Sequence, residues 1–197
     1  MPVVFGESVS SVTEIVRAFR IHGDRVRGIY RARYAFDERS RDPYSGTTLE
    51  RPESLKDNPP AVVYPWEQIF LAAAACAGSD YPMLATHEGV TLERLELVVE
   101  GVFDPRGEFD GLAGFDAPPD ARPCFLALHL RTSLWSTAPR HTLERIHARV
   151  LSHNMVLGAL RGIPTTNELT IQTTASATDA AKPMPEPPVR SRRRPLR

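Results

Sequence analysis

One stretch constrains this chain more than any other: Pro65 to Val90, read as PWEQIFLAAAACAGSDYPMLATHEGV. It has the pattern of a long helix running from about Trp66 to Glu88. Pro65 suits the first turn, and Glu67 suits the positive end of the helix dipole. Pro82 interrupts the pattern, so a kink or a break into two helices is expected there. Gly89 provides a C-terminal stop. Within the helix a single cysteine, Cys76, is set among alanines 72–75, Ala77 and Gly78, which leave space around the sulfur. Such a thiol is either a redox or nucleophilic centre or an inert core cysteine, since free cysteine is among the most buried residue types.

The remaining elements follow from periodicity. An amphipathic segment near the start, with Ile15, Val16 and Phe19 at helical spacing, reads as a helix or an arm within residues 1–24. Residues 25–37 alternate apolar and basic side chains and fit a strand with one wet face. Residues 38–62 are polar and rich in turn formers, a long loop. Two strong strands are expected next, TLERLELVVEGVFD and Cys124–Ser136, antiparallel to one another because sequential strands usually pair. A second helix is expected over 142–162, with Leu143, Ile146, Val150, Leu157 and Leu160 on its apolar face. ELTIQTTAS is a last strand. Strand, long helix, strand, strand, helix, strand is an α+β order. The division expected is an N-terminal arm over 1–24, one domain over 25–178, and a disordered Pro/Arg-rich tail over 179–197.

Composition removes several function classes. Lys+Arg and Asp+Glu are equal at 24 each, which argues against a general nucleic-acid binder. No apolar run reaches the ~20 residues of a membrane span. The start, MPVVFGESVSS, lacks the basic head and apolar core of a signal peptide. With two cysteines among 197 residues and no export signal, a reducing cytoplasm is the expected compartment. Cys76 and Cys124 are far apart and the histidines are scattered, so neither a metal nor a cofactor is expected.

The segment from Pro65 to about Ile171 resembles the OsmC/Ohr family. The resemblance is carried by PWEQIFLAAAACAG, with Glu67 and Cys76, by LATHEGVTLERLELVVEGVFDPRG, and by the order of the elements through VLSHNMVLGALRGIPTTNELTIQ. It implies an OsmC-like fold, two antiparallel sheets around long central helices, in an intertwined homodimer with active sites at the interface. It implies that Cys76 is the attacking thiol of an organic-hydroperoxide reductase, with Glu67 in the same site. The second, resolving cysteine of active members falls at Asn154, and Met155 stands where a proline usually follows. The arginine that active members place beside the thiol has candidates in Arg31 and Arg33 on the expected strand and in Arg39 and Arg41 on the loop. His153 is a candidate base, because the family places its segment near the attacking cysteine.

Physical chemistry adds two expectations. Nine residues at about 100° each put Glu67 and Cys76 on nearly opposite faces of a straight helix. A sulfenic acid at Cys76 needs a thiol to condense with, and without a second cysteine in place that thiol is an external reductant. The expected function is thiol-dependent reduction of organic hydroperoxides. The alternative is a degenerate OsmC-like protein without peroxidase activity, which binds a small apolar ligand or catalyses another reaction in the dimer-interface pocket.

Overall fold

A computed structural model of the chain describes residues 3–38, 46–59 and 63–173. The chain opens with a hairpin of two short strands, β1 (Val3–Val4) and β2 (Glu7–Ser8). Phe5 and Gly6 make its turn at φ of 48° and 80°, the left-handed pair that a two-residue hairpin demands. Helix α1 (Val12–His22) begins at a capping box: Ser11 Oγ accepts from the Glu14 amide while the Glu14 carboxylate accepts from the Ser11 amide. Then come β3 (Gly28–Asp37), β4 (Thr48–Glu50), the long helix α2 (Pro65–His87) and β5 (Arg94–Phe103). They are followed by β6 (Phe125–Trp135), α3 (Arg140–His153), α4 (Met155–Ala159) and β7 (Thr165–Gln172).

The architecture is α+β. Five strands form one sheet in the order β4-β3-β5-β6-β7, antiparallel except for the last pair, where β7 runs parallel to β6. That parallel pair requires a crossover, which α3 and α4 supply. One sheet face carries Tyr30, Ala32, Tyr34, Leu95, Leu97, Val99, Leu128, Leu130 and Leu134, all buried. Against it α2 lays Phe70, Ala73, Ala74, Ala77 and Tyr81. The approach is close: a Cβ on Gly78 would stand 2.2 Å from the Tyr34 ring. The other sheet face is charged, with Arg31 and Arg131 both paired to Glu100. A second cluster, Val16, Phe19, Val26 and Phe115, ties α1 to the segment after β5.

Three features differ from the sequence expectations. Pro82 neither breaks nor ends α2, which continues to His87 and stops at Gly89, φ 69°. The expected helix over 142–162 is two helices, because Asn154 takes extended backbone (φ −64°, ψ 131°) between α3 and α4. The long loop holds β4, an edge strand of three residues that exists by pairing Thr48, Leu49 and Glu50 with Arg33, Ala32 and Arg31. The expected tail over 179–197 lies outside the described residues, as do Arg39 and Arg41.

By length and composition α2 could cross a membrane. Its packing is that of a core helix, with the glutamate and tyrosine of its inner face fully buried.

Candidate functional site

Two polar clusters lie on opposite faces of α2. The first is at its N-terminal end. Glu67, fully buried, accepts from Arg51 Nε at 2.6 Å and from a second Arg51 guanidinium nitrogen at 3.0 Å, a two-pronged ion pair. The same carboxylate accepts from the Tyr64 amide at 2.8 Å, satisfying one of the orphan donors before the helix. Arg51 also donates to the carbonyls of Asn58 and Pro59. The hydrogen bond it donates to Glu67, opposed by partial burial, holds the guanidinium above its ordinary pKa. Glu67 was legible as a helix-start charge and as a site candidate; Arg51 was not. A buried glutamate at the start of an apolar helix calls for a cation, but nothing in the sequence singles out Arg51 from the other arginines of the loop.

The second cluster surrounds Cys76. The side chain is half-buried on the face of α2 turned away from the sheet. Asn154 Nδ2 donates to Cys76 Sγ at 3.2 Å and to Asp80 Oδ2 at 2.7 Å. Asn154 Oδ1 meanwhile accepts from the Leu157 amide at 2.9 Å, capping α4. One buried amide thus joins the thiol, a carboxylate one helical turn further on, and a helix start. A donated hydrogen bond supports negative charge on sulfur, whereas the nearby carboxylate opposes it. Asp80 was not among the sequence candidates, although its i+4 spacing from Cys76 places it on the same face.

The remaining candidates fall elsewhere. Glu67 and Cys76 stand on opposite sides of α2, as helix geometry dictates. Arg31 and Arg33 do not join either cluster. They alternate outward from β3 onto the charged face, where Arg31 meets Glu100 at 2.5 Å and Arg33 meets Glu50 at 3.9 Å. The reason is the period of two, which turns Ala32 and Tyr34 inward and the arginines out. His153 is exposed, with Nδ1 2.7 Å from Ser152 Oγ and no hydrogen bond to Cys76. Cys124 is free and exposed before β6. Among the described residues no group of three metal-ligating side chains is found.

A third polar group is buried under α2. Tyr81 Oη lies 2.7 Å from His147 Nδ1 and 3.2 Å from Thr132 Oγ1. Burial pushes the Tyr81 hydroxyl well above the usual phenol range and His147 below the usual imidazole range.

The fold and the site define an α+β protein whose long central helix offers a lone half-buried thiol to the side opposite its sheet. Among solved structures the chain is similar to an OsmC like protein from Mycoplasma pneumoniae, at 14% identity and a TM-score of 0.45, covering 73% of this chain and 96% of that one. It is also similar to a hypothetical protein from Aquifex aeolicus VF5, at 10% identity and a TM-score of 0.44, covering 66% and 83%. No family model matches the sequence, and no curated protein matches it.

Proposed function

We propose that the protein is an OsmC-like homodimer that uses Cys76 for thiol-dependent reduction of organic hydroperoxides. The observation that carries this reading is the Asn154 amide donating to a half-buried Cys76 sulfur. The motif around Cys76 supports it from the sequence side. The Cys76 thiolate attacks the distal peroxide oxygen. An S–O bond forms, the O–O bond breaks, and the alkoxide leaves as the alcohol after taking a proton. One external thiol condenses with the resulting sulfenic acid, releasing water. A second displaces it as a disulfide and restores the Cys76 thiol. A reducing cytoplasm suits a protein whose thiol is regenerated in this way.

The dimer reading is supported by the outward stripe of α2. Ile69, Ala72, Cys76, Ser79 and Met83 recur at spacings of three and four, and Ile69 and Met83 are exposed. Pairing α2 with its copy would cover these residues and enclose Cys76.

The test is consumption of cumene hydroperoxide by the full chain with dithiothreitol as reductant. Wild type is expected to turn over and Cys76→Ser to lose turnover. Wild type without consumption above background, or Cys76→Ser with full activity, would sink the peroxidase reading.

A second reading has its own observation. Asn154, where the resemblance implies a resolving cysteine, is committed to capping α4, and the Arg51–Glu67 pair lies on the far face of α2 from Cys76. This favours an OsmC-like protein that has given up peroxidase turnover and keeps its interface pocket for a small apolar ligand or another reaction. Failure of peroxide consumption in a dimer that retains a reactive Cys76 would select this reading.

A further inference from the structure

A cavity of about 180 Å³ lies between the N-terminal layer and the first turn of α2. Val4, Val9 and Phe19 line it from the hairpin side, and Tyr30, Trp66 and Phe103 from the sheet and α2. Its surface is almost wholly apolar. Glu108 is the one charged residue among those lining it, and it is exposed to solvent. A cavity of about 150 Å³ with apolar walls stays dry and accepts a benzene ring, so this one has room for a single ring or a chain of similar bulk.

One lining residue has an unmet bond. Trp66 Nε1 is buried and has no hydrogen-bond acceptor. The indole lies near the Tyr30 hydroxyl: burial drives that phenol's pKa upward, and the neighbouring indole N–H offsets part of the rise. Hydrogen-bond geometry between the two is nevertheless not reached. Trp66 cannot turn freely to find another acceptor, because it is stacked between Tyr64 at 4.7 Å and Phe103 at 5.6 Å. Buried donors without partners are rare and costly, and each calls for an explanation.

We propose that this cavity binds a small neutral molecule, one aromatic ring or its equivalent in bulk, carrying a single oxygen that accepts from Trp66 Nε1. Apolar walls supply the affinity and the indole supplies orientation. A carboxylate is disfavoured, since it would lose its hydration among apolar side chains beside Glu108 and meet no cation among the lining residues. The site is separate from Cys76. The two residues are ten apart on α2, about 15 Å along the axis at 1.5 Å per residue, and Cys76 does not line the cavity.

The cavity is partly open to solvent, and the hairpin supplies part of its wall through Val4. The hairpin is held to the rest of the chain through a few contacts: Asn58 bonds Val3 in both directions, the Phe5 amide donates to the Ser54 carbonyl, and the Phe5 ring stacks on His22 at 4.0 Å. Two residues per strand make a weak ladder, so this wall yields to a bulky ligand at less cost than the main sheet would.

The experiment is a titration of the full chain, labelled with nitrogen-15, followed through the Trp66 indole resonance. The chain has two tryptophans, and Trp135→Phe assigns the signal. Acetophenone is expected to move the Trp66 indole proton downfield and saturably. Benzoate, of nearly the same shape, is expected to bind at least about tenfold more weakly. Trp66→Phe, which lacks the indole reporter and is followed through the backbone amides of Val4 and Val9, should weaken acetophenone about tenfold and leave toluene binding unchanged, one hydrogen bond's worth of discrimination. Val9→Phe fills the cavity and should abolish binding of both. No saturable shift with acetophenone, or undiminished binding in a folded Val9→Phe chain, would overturn the proposal. If Val9→Phe does not fold, Trp66→Phe decides: equal affinity for acetophenone in that variant overturns it. The readout is binding in this cavity, so a chain that lacks peroxidase activity is still tested.

Discussion

Arg51 and Glu67 form a deeply buried ion pair, with side chains 10% and 0% exposed. Removing one member strands the other away from water. Glu67→Met or Arg51→Met alone is expected to cost about 3 kcal/mol. The double replacement Arg51→Met with Glu67→Met should cost clearly less than the sum of the single ones, and urea denaturation of the four chains checks it. Asn154 allows a cleaner test of the thiol. Asn154→Ser keeps a side chain suited to capping α4 but withdraws the amide from sulfur. Alkylation of Cys76 by iodoacetamide should slow several-fold across neutral pH while the melting temperature changes little. An unchanged rate would show that the amide does nothing for sulfur reactivity. His147 gives a pH dependence. Its folded-state pKa is depressed by burial, so the unfolded chain takes up a proton first as pH falls. Its contribution is intact above the ordinary imidazole pKa of 6.5. It is lost below that value at up to about 1.4 kcal/mol per pH unit. The stability of His147→Gln between pH 7 and 5 should fall less steeply than that of wild type.

Elements differ in how plainly the sequence announces them. The alternation through β5 and β6 and the apolar run of α2 are visible because each residue's local period matches the face it buries. Gly89 marked the end of α2 for a simple reason: a left-handed residue was needed there. The break between α3 and α4 was hidden, since apolar residues keep helical spacing on both sides of Asn154 and the kink depends on a contact with Cys76 and Asp80, 78 and 74 residues away. β4 was hidden too, because a three-residue edge strand owes its existence to β3. Likewise Arg51 could not be told from other arginines of a polar loop until the chain brought it to Glu67. At the α2–β3 contact, helix propensity and packing disagree. Alanine is the better helix former, yet a Cβ at position 78 would enter the Tyr34 ring. Gly78→Ala is therefore expected to destabilise the protein by about 2 kcal/mol, read as a lower urea midpoint; a stabilised variant would contradict the close packing described.

At the scale of the whole molecule, α2 divides its circumference between two tasks. The side holding Phe70, Ala74 and Tyr81 faces the sheet, and the side holding Ile69, Cys76 and Met83 faces outward. If the outward stripe pairs with a second copy, charges placed on it will split the assembly without touching the core. Ile69→Asp combined with Met83→Asp should halve the mass measured by light scattering at micromolar concentration, with the circular dichroism of the folded chain retained. A wild-type chain that runs as a monomer would remove the dimer from the proposed function. The break at Asn154 bears on what substitutions the chain can accept there. Introducing a thiol by Asn154→Cys would delete the acceptor that starts α4 and the donor that ties α3 to α2, so the change would arrive with a folding defect before any chemistry was gained. With position 154 serving as a joint between helices, a second thiol for Cys76 is better placed elsewhere in the fold than at that joint.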